Sequence, residues 1–142
     1  TQLHPGDLKA AFLELEYDAD EDFNGRWNPV GGTGWEHQVK QDVTLDFIGV
    51  ELQGDEPEAL ADLWGRCTDL PVEHDAGNPI IAFNNVVLRF VAVTDGRGPG
   101  LGGLDIAVAD REHVLREAKA RKAYVSDDQV NICGTRWYLK DA

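Results

Sequence analysis

One order of local patterns occurs twice in this chain, about fifty residues apart, and it restricts the folds open to it. The first copy opens with VTLDFIGVEL (43–52), where Ile48, Val50 and Leu52 alternate with Phe47, Gly49 and Glu51. A period of two marks a strand with one face on a core. GDEPEALADLWGRC follows. There Asp55 is the expected N-cap, Pro57 falls in the first turn, and Glu58 completes a capping-box spacing. Leu60, Leu63, Trp64 and Cys67 then give an apolar helical stripe. PIIAFNNVVLRFVAV (79–93) reads as a hairpin turning at Asn84 and Asn85, residues that tolerate positive φ.

The same order returns. LGGLDIAVAD (101–110) sets Leu104, Ile106 and Val108 on one face of a strand. Asp110 is the expected cap of a helix carrying Val114, Leu115 and Ala118 inward, and residues 128–141 form a second hairpin turning near Gly134. The two cap positions, Asp55 and Asp110, lie 55 residues apart. The pattern predicts an α+β fold of two tandem strand–helix–hairpin units. The glycine-rich DGRGPGLGG (95–103) lacks the strand–loop–helix order of a phosphate cradle and reads as the hinge between the units.

Two segments stand outside the repeat. Residues 18–42 are rich in Asp, Glu, Gly and Pro and break every periodicity, which predicts a connector; Trp27 and Trp35 suggest that it packs on something. LHPGDLKAAFLELEY (3–17) reads as a turn and a strand ending in Glu14 and Glu16.

Charge excludes some partners. The chain of 142 residues carries a formal charge of −13. It lacks the basic footprint that nucleic acid requires, and an anionic membrane surface would repel it. No apolar run approaches a spanning length. Cys67 and Cys133 belong to no ligand cluster and are expected as buried free thiols in a cytoplasmic protein. His37, His74 and His113 have no nucleophile placed beside them by the pattern, so no catalytic residue is assigned.

GLGGLDIAVADREHVLREAKAR, ICGTRWYL and the repeat order resemble the vicinal oxygen chelate superfamily. That group includes glyoxalase I, methylmalonyl-CoA epimerase, extradiol dioxygenases and bleomycin-resistance proteins. The resemblance implies paired βαβββ modules, 43–94 and 101–142, whose mixed sheet forms a cup with the helices outside. The opening stretch resembles the end of such a module: His4-Pro5-Gly6-Asp7, then Leu13-Glu14-Leu15. It implies that residues 1–17 are the terminal hairpin of a preceding glyoxalase-like module in a longer protein, with Glu14 at a metal-ligand position.

In residues 43–142 the corresponding ligand positions are Phe47, Gly103, Leu88 and Tyr138, which cannot assemble a divalent site. The expected cup-facing residues are Phe47, Glu51, Leu88, Phe90, Asp105, Arg136 and Tyr138. Of these, Glu51, Asp105, Arg136 and Tyr138 are the candidate small-molecule contacts. The opposing expectation is that Arg136 pairs with Glu51 or Asp105 and the cup is merely filled. The resemblance implies no cofactor in this chain and a divalent Zn, Fe, Ni or Mn in the longer protein, a lyase, isomerase or dioxygenase. The alternatives are a metal-free binding module of bleomycin-resistance type and a structural dimerisation domain. A homodimer, or pairing with the preceding domain, is the expected assembly.

Overall fold

The computed structural model describes residues 1–17 and 34–141. Trp27 and most of the expected connector lie outside the described residues. Two short strands come first, β1 (Gln2–Leu3) and β2 (Leu13–Glu14), separated by a one-turn helix α1 (Pro5–Leu8). They pair with each other antiparallel, so the strand is shorter than the alternation of AAFLELEY predicts. His4 caps α1, its Nδ1 accepting from the Gly6 N–H at 3.0 Å.

The remaining chain repeats one order. The first round is β3 (Thr44–Gly54), α2 (Pro57–Thr68), β4 (Glu73–Asp75), β5 (Asn78–Ala82) and β6 (Val87–Ala92). The second is β7 (Gly100–Val108), α3 (Arg111–Ala120), β8 (Tyr124–Ser126), β9 (Gln129–Ile132) and β10 (Thr135–Asp141). All eight strands join one sheet in the order β4-β5-β6-β3-β7-β10-β9-β8. β3 and β7 meet antiparallel at the centre, and each has its own round's last strand, β6 or β10, parallel on its other side. The sheet is thus built of two like halves joined through the first strand of each.

Apolar alternation puts both helices on one face. Under α2, Leu52, Leu60, Ala61, Trp64, Ile81, Leu88 and Phe90 are buried together, and Leu8 from α1 enters the same cluster. The Trp64 and Phe90 rings lie 6.3 Å apart, and Trp64 Nε1 donates to the Leu8 carbonyl at 3.1 Å. Under α3 the cluster is Ile106, Val108, Leu115, Ala118, Val130 and Leu139. Each large buried side chain contributes about 1.5–3 kcal/mol, so the two clusters hold the helices to the sheet.

Three expectations are corrected here. Leu88 and Phe90 face α2 instead of the cup, because the strand's inward phase starts one residue later than expected. Asp55 is not the cap of α2: Glu56 occupies that position and makes no side-chain cap bond. Cys133 is exposed, in the β9–β10 turn, while Cys67 is half-buried; both are free thiols.

Candidate functional site

The face opposite the helices carries charge. Register explains how. One row across the sheet reads Arg89 on β6, Glu51 on β3, Gly103 on β7 and Arg136 on β10. The neighbouring row reads Val87, Gly49, Asp105 and Tyr138. The glycines leave room for the long side chains beside them. A Cβ on Gly49 would stand 2.4 Å from Asp105 Oδ2, and one on Gly102 would stand 2.4 Å from an Arg136 guanidinium nitrogen. A Cβ on Gly103 would meet the Tyr138 ring at 2.8 Å.

Across that cleared floor the side chains interlock. Arg89 grips Asp105 with both terminal nitrogens, at 2.9 and 3.1 Å, and its Nε donates to Glu51 at 3.1 Å. Arg136 Nε donates to the other Glu51 oxygen at 2.8 Å. Its terminal nitrogens reach Gln53 Oε1 and Asp95 Oδ2, each at 2.8 Å. Tyr138 Oη donates to Glu51 at 3.1 Å, and the Arg89 guanidinium lies 5.0 Å from the centre of its ring. Gln53 fastens the linker by donating to Asp95 at 2.9 Å and to the Gly98 carbonyl at 2.8 Å. Glu51 and Asp105 are 4% and 8% exposed, so these pairs are shielded from water.

Electrostatics follow the geometry. Burial opposes the charge on Arg89, but the bonds and attraction of Asp105 and then Glu51 outweigh it and raise its pKa further. Arg136 shows the same balance: burial opposes the charge, and Glu51 raises the pKa. Burial first, then the Glu51 charge, push the Tyr138 phenol above its ordinary value.

All four expected ligand contacts, Glu51, Asp105, Arg136 and Tyr138, therefore stand on one face, together with three residues that the sequence reading missed: Arg89, Gln53 and Asp95. Arg89 was legible as the polar residue between Leu88 and Phe90. Asp95 had no signal beyond its place in the hinge. The opposing expectation is also realised in part, since Arg136 does pair with Glu51. Phe47 is exposed near the start of β3.

The other candidates lie elsewhere. Glu14 is exposed on β2, where one oxygen accepts from Gln2 at 3.0 Å. His74 faces Glu58 at 3.2 Å on the surface, and His37 meets Gln38. The His113 ring contacts Arg116, while its backbone N–H donates to Asp110 at 2.8 Å and caps α3 as expected. A cavity of about 550 Å³ lies away from the charged face: it opens beside α3, among Val114, Ala118, Val130, Ile132 and Cys133.

The metal that the resemblance implies does not fit the charged face. Both of its buried carboxylates, Glu51 and Asp105, are held by guanidinium groups at bonding distance. A divalent ion there would have to lie against two fixed positive charges. Among the described residues no group of three or more His, Cys, Asp or Glu is placed to hold a metal ion. No helix among them is long and apolar enough to cross a membrane.

No protein-family model and no curated protein matches this chain. Solved structures do. The methylmalonyl-CoA epimerase of Mycobacterium tuberculosis is 12% identical over 74% of this chain and 93% of its own, with a TM-score of 0.55. A substituted methylmalonyl-CoA epimerase of Streptomyces coelicolor, in complex with 2-nitronate-propionyl-CoA, is 9% identical over 70% of this chain and 98% of its own, at 0.51. A hypothetical protein from Staphylococcus aureus is 11% identical over 76% of this chain but 37% of its own length, at 0.51. Two tandem βαβββ units in one mixed sheet, with both helices on one side, give this chain a glyoxalase-like fold, as in the methylmalonyl-CoA epimerases.

Proposed function

We propose that the eight-stranded domain is a small-molecule-binding module that holds an oxygen-rich ligand on its charged face without a metal of its own. The observation that supports this is the Glu51–Arg89–Asp105–Arg136–Tyr138 cluster. Arg89 engages Glu51 and Asp105 through three N–H bonds of the five a guanidinium offers. Its side chain is 24% exposed and keeps two N–H donors beyond those three, a match for a carboxylate or carbonyl oxygen. Tyr138 beside it adds an aromatic wall. A ligand bearing a carboxylate and a second oxygen matches that array. Acyl-CoA esters of the kind bound by the epimerases of this fold are one such class.

The test is a titration of the chain with malonate, pyruvate and malonyl-CoA, followed by the NMR signals of the arginine Nε–H groups. Saturable shifts at Arg89 that vanish in Arg89→Gln are expected. If none of the three probes moves those signals, the reading fails.

A second reading concerns Glu14. It is exposed and makes one bond, to the uncharged Gln2. We propose it as one carboxylate ligand of a divalent metal whose other ligands are supplied by a neighbouring module, in a lyase, isomerase or dioxygenase. Glu14→Gln in the protein that carries such a module is expected to lower its metal content. Unchanged content in elemental analysis would discard the assignment.

A further inference from the structure

We infer that the charged face is a cation site whose occupant is the protein's own arginine. The inference stands on the arrangement of the oxygens and does not depend on any ligand. Glu51, Asp105 and Tyr138 come from three different strands, yet their side chains gather around the Arg89 guanidinium. Glu51 and Tyr138 are themselves joined, at 3.1 Å. Space has been cleared for this convergence. Gly49 lies under Asp105, and Gly102 and Gly103 lie under Arg136 and Tyr138, at positions where a Cβ would collide.

Carboxylates gathered from separate strands repel one another unless a cation lies between them. Here the cation is covalent to β6, so it cannot be lost by dilution or removed by a chelator. A guanidinium also differs from a metal ion in what it presents. It offers N–H donors in a fixed plane to whatever approaches, and it polarises an oxygen less than a divalent charge does. The face is thereby suited to holding an oxygenated ligand and poorly suited to activating a water molecule.

Removing the guanidinium leaves two carboxylates and the face of the Tyr138 ring around one vacated volume, and the carboxylates are donors for a hard divalent cation that keeps several of its waters. Arg136 remains as a local positive charge, but it is satisfied by Gln53 and Asp95 as well as by Glu51.

The experiment is a Mn²⁺ titration of the full chain, read by the EPR signal of free Mn²⁺. It compares wild type, Arg89→Ala, Arg89→Gln, and Arg89→Ala combined with Asp105→Asn. Wild type is expected to show no stoichiometric binding. Arg89→Ala should bind one Mn²⁺ per chain at least about tenfold more tightly than wild type, and the Asp105→Asn addition should abolish that gain. If Arg89→Ala melts without cooperativity, recovery of its folded circular dichroism spectrum on adding Mn²⁺ supports the inference as well. Arg89→Gln keeps a polar side chain and provides the folded control. Stoichiometric binding by wild type overturns the inference, as does the absence of binding in every Arg89 variant that folds, Arg89→Gln alone included if Arg89→Ala neither folds nor is recovered by Mn²⁺.

Discussion

At Asp95 the structure concentrates donors from three residues on one linker carboxylate. Arg97 contributes a backbone N–H at 3.0 Å and a side-chain Nε at 2.9 Å, and Gln53 and Arg136 add one bond each. The Arg97 side chain first, then Gln53, hold its pKa well below the ordinary carboxylate value of 3.8. A depressed carboxylate stabilises the fold above its unfolded pKa, and that contribution is lost as pH falls toward the folded value. Asp95→Asn should therefore lower the melting temperature relative to wild type at pH 7. The gap should begin to close below about pH 4 and keep closing with further acid. A gap that stays constant or widens between pH 7 and pH 3 would contradict the geometry. Arg89 and Glu51 behave differently from such a linker pair. Their burial means that breaking the contact leaves an uncompensated charge, which costs about 3–5 kcal/mol in comparable pairs.

Among the elements, the two helices begin unlike each other although their repeats are alike. α3 is capped by Asp110, whose carboxylate takes the His113 N–H at 2.8 Å. α2 has Glu56 at the cap, with no side-chain bond, and relies on Pro57 at its first position and on burial of Leu60 and Trp64. Glutamate is one methylene too long to fold back on the first turn as aspartate does. Asp110→Ala should thus cost about 1 kcal/mol, while Glu56→Ala should cost almost nothing. Glu56→Asp should gain about 0.5 kcal/mol. Urea denaturation of the three variants checks this, and equal losses at the two alanine sites would show that the caps are not the cause. The tight turns of positive φ also fall at different hairpins in the two rounds. Ala76 and Gly77 in the β4–β5 turn take positive φ at both central positions, and so do Cys133 and Gly134 in the β9–β10 turn, which is the other hairpin of its round. That is the twist a two-residue hairpin demands.

Over the whole molecule, much of the architecture could be read from the chain, because strand and helix periodicities are local. Ile48, Val50 and Leu52, and then Leu104, Ile106 and Val108, announced two central strands, and Val50, Leu52, Ile106 and Val108 do pack in the clusters under the helices. Asp110 announced a helix start. The spacing between repeats announced two like units. Glu51, Asp105, Arg136 and Tyr138 were legible as one set because alternation assigns each to the polar face. Reading failed where a phase had to be set from a short apolar run. VVLRFVA offers apolar residues on both sides of Arg89, so its phase was set one residue off. Leu88 and Phe90 were then placed where Arg89 belongs. The sequence by itself determined the repeat, the α+β class and the charged character of one sheet face, since each depends on residues near one another in the chain. Only the tertiary structure decided that Arg89 meets Asp105, that Arg136 meets Glu51, and that Asp95 ties the linker to Arg136 and Gln53. Those partners are 16, 85 and about 40 residues apart. Their meeting is set by the antiparallel register of β3 against β7, and by glycines whose vacancy matters only once another strand lies alongside.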